Sequence, residues 1–145
     1  MPMVRDILVA KGATVYSTRP GATVLEAVQH MNQHKLGALV VMEDDKVAGM
    51  FTERDVLRRV VGEERNPRTT HVSDVMTEEV ICCHPEADLE EVSAIMKQRR
   101  IRHVPICDEQ GKLHGMISIG DVNACYASNQ EQTITFLNEY IFGRA

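Results

Sequence analysis

Two short stretches carry the residues best suited to chemistry. In Val47 to Arg59 (VAGMFTERDVLRR), an apolar, glycine-containing run ends in Thr52, and Arg54 and Asp55 follow as an amphipathic pattern begins. This reads as a strand running into a helix start, with a hydroxyl, a guanidinium and a carboxylate gathered at the junction. Helix-start N–H groups and an Arg attract phosphate, and a carboxylate accepts from two neighbouring sugar hydroxyls. The second stretch, Leu113 to Asn123 (LHGMISIGDVN), puts Ser118 and Asp121 where Thr52 and Asp55 stand. An acid at a helix start is also an ordinary N-cap. Asp55 and Asp121 therefore have two readings, cap alone or ribose acceptor, and the duplicated hydroxyl three residues earlier favours the second.

The elements that must position these junctions come from an internal repeat. Pro20 aligns with Pro85, Ala22 with Ala87, Val28 with Ser93 and Met31 with Met96. One extra residue near Gln110 then brings Lys46 over Lys112, Gly49 over Gly115, Met50 over Met116 and Val56 over Val122. Chance does not hold such a register. Thr23 with Glu26, and Asp88 with Glu91, have capping-box spacing. Behind them Val24, Ala27, Val28 and Met31, and Leu89, Val92, Ile95 and Met96, recur at helical spacing as core faces. β-Rich runs follow at Ala38 to Met42 and His103 to Cys107, then polar turns, then strands at Val47 to Phe51 and Leu113 to Ile117 that lead into the junctions. Val56, Leu57, Val60 and Val61 form the expected buried stripe of the closing helix in the first copy. Each repeat thus reads β-α-β-β-α, an α/β (α+β) unit.

Residues 1–61 are read as the first unit with its N-terminal segment, and 62–73 (GEERNPRTTHVS), polar and interrupted by Pro67, as a linker. Residues 74–127 form the second unit, opened by Asp74-Val-Met76 as Asp6-Ile-Leu8 opens the first. Residues 128–145 read as a C-terminal helix with Ile134, Leu137 and Ile141 on one side and Phe136, Tyr140 and Phe142 adding apolar surface. Such a face wants its own core or a second subunit.

Composition narrows the function classes. At 145 residues, 43% apolar and 26% charged, the chain suits one compact core or two small fused ones. No run approaches the roughly 20 apolar residues that cross a bilayer, and the start lacks a secretory signal, so a cytoplasmic protein is expected. A net charge of −5 with scattered Lys and Arg argues against a nucleic-acid surface. Cys82, Cys83, Cys107 and Cys125 lack CxxC spacing and read as small buried hydrophobes, with metal or redox chemistry the lesser reading. His30, His34, His71, His84 and His114 show no spacing of a metal site. Arg58 and Arg59 read as a solvated helix face. No base stands at a spacing that would activate a hydroxyl, so no catalytic residue is legible.

Two tandem units closed by GMFTERD and GMISIGD, with RHVPI before the second, resemble a pair of cystathionine-β-synthase (CBS) domains, a Bateman module, over roughly Val4 to Tyr126. The resemblance implies two units packed about a pseudo-twofold axis, with clefts binding adenosine-containing ligands such as AMP, ADP, ATP, S-adenosylmethionine or NAD. Asp55 and Asp121 match the family's ribose carboxylates, Thr52 and Ser118 its hydroxyls near ribose and phosphate, and Arg54 a phosphate cation. Tyr16, Ser17 and Thr18 with Gly37, Ala38 and Leu39 would line one adenine pocket. Ile81, Cys82 and Cys83 with Arg102, His103, Val104 and Pro105 would line the other.

The copies differ, since Ile119 and Gly120 replace Glu53 and Arg54; the second junction loses a local cation that Arg102 and His103 would supply. His103 also reads as a plain strand-edge histidine. The family implies a regulatory homodimer that signals to a separate partner, with no catalytic cofactor and no metal. A structural adaptor with empty clefts and a nucleotide-acting enzyme are the alternatives.

Overall fold

A computed structural model describes residues 2–12 and 14–127. The expected C-terminal helix over 128–145 lies outside the described residues. In chain order the elements are α1 (Val4–Lys11), β1 (Ser17–Thr18), α2 (Val24–His34), β2 (Ala38–Glu43), β3 (Lys46–Thr52), α3 (Glu53–Asp55, running into a π-helical turn Val56–Val61), α4 (Val72–Val75), α5 (Leu89–Arg99), β4 (His103–Cys107), β5 (Leu113–Ser118) and α6 (Ile119–Tyr126). The chain forms two compact units. One holds residues 14–81 with 111–113; among the described residues, the other holds 2–12, 82–110 and 114–127.

In the first-repeat unit β1 pairs parallel with β2, and β2 antiparallel with β3, Ala38 opposite Thr52 and Leu39 opposite Phe51. Asp44 and Asp45 close this hairpin with positive φ at both positions, the two-residue turn whose twist matches the strands. Thr23 caps α2 by accepting the Glu26 N–H. Val24, Ala27 and Met31 then meet Leu39, Val41 and Phe51 in one core. The second-repeat unit repeats the plan: Asp88 caps α5, β4 pairs with β5, and Leu89, Val92 and Met96 pack with Val104, Ile106, Ile117 and Val122. Its first strand is reduced to a single parallel bridge between Cys83 and Ile106.

The structure corrects three expectations. The N-terminal segment does not complete the first repeat; it completes the second. Leu89 N–H bonds to Pro2 O and Val4 N–H to Ala87 O, meeting a helix-start donor of α5 and one of α1, while Val4 and Leu8 enter that repeat's core. The linker and α4 do the same for the first repeat, Val24 N–H bonding to Thr70 O and Val72 N–H to Ala22 O. Each repeat is thus finished by the segment that precedes the other. Secondly, Leu57 and Val61 are 66% and 64% exposed, leaving Val60 as the fully buried residue of that stripe. The turn is π-helical, with Gly62 N–H bonding to Leu57 O, so each residue rotates less about the axis and the buried stripe narrows. Thirdly, Arg59 is not merely solvated: its Nη1 donates to Met76 O at 2.8 Å and Val75 O at 3.4 Å, fastening the end of α4.

Glycine at the end of each swapped segment's path is required by space. A Cβ on Gly49 would stand 2.8 Å from Thr77 O and 2.9 Å from Met76 Sδ, and one on Gly115 would stand 2.6 Å from Leu8 Cδ2.

Candidate functional site at the strand-to-helix junctions

At the first junction, β3 delivers Thr52 to the start of α3, where Glu53 N–H bonds to Gly37 O at 3.0 Å. Thr52 and Asp55 close on each other. Thr52 Oγ1 accepts the Asp55 N–H at 3.3 Å, and Asp55 Oδ2 accepts both the Thr52 N–H at 3.0 Å and its hydroxyl at 3.1 Å. Oδ1 accepts the Thr77 hydroxyl at 3.0 Å, with Arg59 Nε 4.0 Å away. Asp55 is only 5% exposed. Two carboxylate oxygens offer about four lone-pair positions, and three are filled from within the unit. Around this junction Ser17 and Thr18 pair with β2, and Ala38 and Leu39 are buried in it. The Tyr16 ring stacks on His34 at 4.0 Å with His30 edge-on at 5.8 Å, and Arg54 is exposed.

The second junction has the same frame and a different occupant. Ile119 N–H bonds to Arg102 O at 2.9 Å, Ser118 Oγ accepts the Asp121 N–H at 3.2 Å, and Asp121 Oδ2 accepts the Ser118 N–H at 2.8 Å. Where Thr77 meets Asp55, Lys11 meets Asp121: its Nζ lies 2.7 Å from Oδ2 and 2.9 Å from Met116 O. Among the described residues every hydrogen bond Asp121 accepts falls on Oδ2, and its side chain is 19% exposed. Oδ1 takes none of these hydrogen bonds. Gly120 and Arg102 are exposed, His103 is half-buried at the start of β4, and Val104 and Pro105 are buried in that strand. Cys83 is held beside them, its N–H bonding to Pro105 O at 3.0 Å. Cys82 belongs to this unit, whereas Ile81 closes the other.

The cation missing from the second copy's local sequence is thus supplied from 110 residues away. Spacing around Ser118 carries no trace of it. The likeness of Asp6-Ile-Leu8 to Asp74-Val-Met76 was the available signal, because it makes α1 the counterpart of α4.

Partial burial pushes the Asp121 carboxyl up, but the Lys11 and Ser118 hydrogen bonds and the Lys11 charge outweigh it and leave the pKa below the usual value. A pKa lower in the folded than in the unfolded chain contributes stability above the unfolded value, about 3.9, and loses it as pH falls through the folded value. Acid titration of Lys11→Met should therefore show unfolding that begins at higher pH than wild type, while the two chains differ less in their dependence between pH 6 and 8. Circular dichroism against pH reads this.

Among the described residues no group of three or more His, Cys, Asp and Glu stands together as a metal site, and no helix is long and apolar enough to cross a membrane. The CBS-domain family model matches residues 4–62 and 72–127. The chain is a CBS-domain protein. Its relatives include the CBS domain-containing protein YhcV of Bacillus subtilis, 37% identical over 90% of this chain and 89% of that one. A solved structure of a protein with CBS domains from Burkholderia ambifaria superposes with a TM-score of 0.83 at 38% identity, covering 88% of this chain and 96% of that one. The CBS domain pair of protein MJ0100, solved in complex with 5′-methylthioadenosine and S-adenosylmethionine, shares the fold at a TM-score of 0.78 and 19% identity, covering 88% and 98%. The tandem CBS pair is a regulatory module of mixed helix and strand.

Proposed function

We propose that this CBS pair binds an adenosine-containing ligand, AMP, ADP, ATP, NAD or S-adenosylmethionine, and relays its presence to a partner protein. The carrying observation is the second junction, where the Asp121 carboxylate, the Ser118 hydroxyl and the Lys11 ammonium converge, with the carboxylate's hydrogen bonds gathered on Oδ2. A carboxylate oxygen of this kind accepts from ribose hydroxyls, and an ammonium beside it pairs with phosphate. Arg102, whose carbonyl accepts the Ile119 N–H, belongs to the same junction, with Ile119 and Gly120 at its helix start; in this reading His103, Cys82 and Cys83 line its adenine side. The MJ0100 pair accommodates adenosine compounds on the same fold, which supports the ligand class.

The first junction, with Tyr16 to Thr18, Gly37 to Leu39, Thr52, Arg54 and Asp55, is the weaker binder in this reading. A ribose there must first displace Thr77 from Asp55. That same engagement favours a second reading, in which both acids are caps and the protein is a structural adaptor.

Isothermal titration with AMP, ATP, NAD and S-adenosylmethionine distinguishes them. One saturable site per chain, without turnover of bound nucleotide, is expected; silence from all four defeats ligand sensing. The protein acts in this proposal as a cytoplasmic homodimer, and the exposed Leu57 and Val61 are apolar surface that a second copy would cover.

A further inference from the structure

The second-repeat unit holds a pair of thiols set sulfur to sulfur. Cys82, on the extended segment before the Cys83–Ile106 bridge, is exposed, and Cys107, the last residue of β4, is buried. Cys107 Sγ donates to Cys82 Sγ across 3.3 Å. The backbones beneath them are fixed on both sides, Cys83 N–H bonding to Pro105 O at 3.0 Å and Cys107 N–H to Cys83 O at 2.9 Å. Neighbouring positions of extended chain point to opposite faces. Cys83 accordingly turns into the core with Val104 and Ile106, away from its sequence neighbour.

We propose that Cys82 and Cys107 are a reversible oxidation site, converted to an intramolecular disulfide by hydroperoxides. From the observed 3.3 Å, closure by about 1.3 Å reaches the roughly 2.0 Å of a disulfide bond. The exposed Cys82 sulfur attacks the terminal peroxide oxygen. The O–O bond breaks, an S–O bond forms, and the departing alkoxide or hydroxide takes the thiol proton, leaving Cys82 as a sulfenic acid. Cys107 then attacks the Cys82 sulfur; S–S forms, S–O breaks, and the hydroxide leaves as water with the Cys107 proton. Two thiols and one hydroperoxide give one disulfide, one alcohol or water, and one water. Burial and the hydrogen bond to Cys82 push the Cys107 thiol up to about 12, which leaves the exposed Cys82 as the thiol that meets the peroxide first.

The test is peptide mapping of the full chain after hydrogen peroxide, with iodoacetamide blocking before and after reduction. The expected product is a monomer about 2 Da lighter, with a Cys82–Cys107 cross-linked peptide that reductant abolishes. Cys82→Ser, at an exposed position, should remove the cross-link and leave Cys107 unmodified at peroxide doses that fully convert wild type. Cys83→Ser should leave the cross-link in place. A Cys82–Cys83 linkage, a Cys82–Cys82 dimer, or sulfinic acid at Cys82 as the main product would each overturn the assignment. None of these readouts depends on nucleotide binding, so the proposal stands or falls apart from the ligand reading.

Discussion

Asp121→Ala should lower affinity for the adenosine-type ligand by about 10-fold to 150-fold, the equivalent of roughly 1.5 to 3 kcal/mol for one lost charge-assisted acceptor. Asp55→Ala should instead act on the fold. Asp55 is 5% exposed and receives the Thr52 amide, the Thr52 hydroxyl and the Thr77 hydroxyl. Its removal leaves buried donors unanswered at a helix start and the Thr77 anchor without its acceptor. A loss of about 2 kcal/mol in stability is expected. Urea denaturation of both variants, with calorimetric titration of each, reads the contrast. Equal affinity losses at the two positions would show that the junctions bind alike, against the geometry that separates them.

The largest stability effect is expected at Gly49→Ala. Its new methyl would stand 2.8 Å from the Thr77 carbonyl oxygen and 2.9 Å from Met76 Sδ. The oxygen belongs to a backbone doubly paired to Met50, which donates to Thr77 O at 2.9 Å and accepts from Thr77 N–H at 2.8 Å. Relief therefore requires breaking that pairing or shifting the segment after α4. The cost should reach the upper end of the roughly 1 to 3 kcal/mol of core overpacking. Gly115→Ala should cost less, because the three atoms nearest its Cβ all belong to the Leu8 side chain. Adding Leu8→Ala to Gly115→Ala should cost less than the sum of the two single changes, since the cavity and the methyl share one space. Denaturant midpoints of the four chains check this, and strict additivity would contradict the packing described.

Much of this was legible beforehand for physical reasons. Capping residues such as Thr23 and Asp88, strand His103–Cys107, and strand Ala38–Glu43 but for its last residue, announce themselves because local patterns and local hydrogen bonds decide them. The reciprocal closure of Thr52 on Asp55 and of Ser118 on Asp121 follows from the same three-residue spacing. The exposure of Leu57 and Val61 was hidden, because an α-helical count does not foresee a π-turn. Lys11 was hidden for another reason: its contact with Asp121 is set by tertiary packing of α1, and no neighbour in sequence reports it. Likewise, which group meets the acid at a junction depends on what the swapped segment brings, a hydroxyl at Thr77 or an ammonium at Lys11.

That exchange of segments also orders how the chain matures on the ribosome. Apart from positions 111–113, the first-repeat unit is a continuous stretch, 14–81, and can condense as soon as it has emerged. The second cannot: α1 leaves the tunnel before the first-repeat unit, yet its Val4 and Leu8 find their cover only in residues made much later. Through that interval a nascent amphipathic helix waits unsheltered, and contacts this distant are slow to close and exposed to aggregation meanwhile.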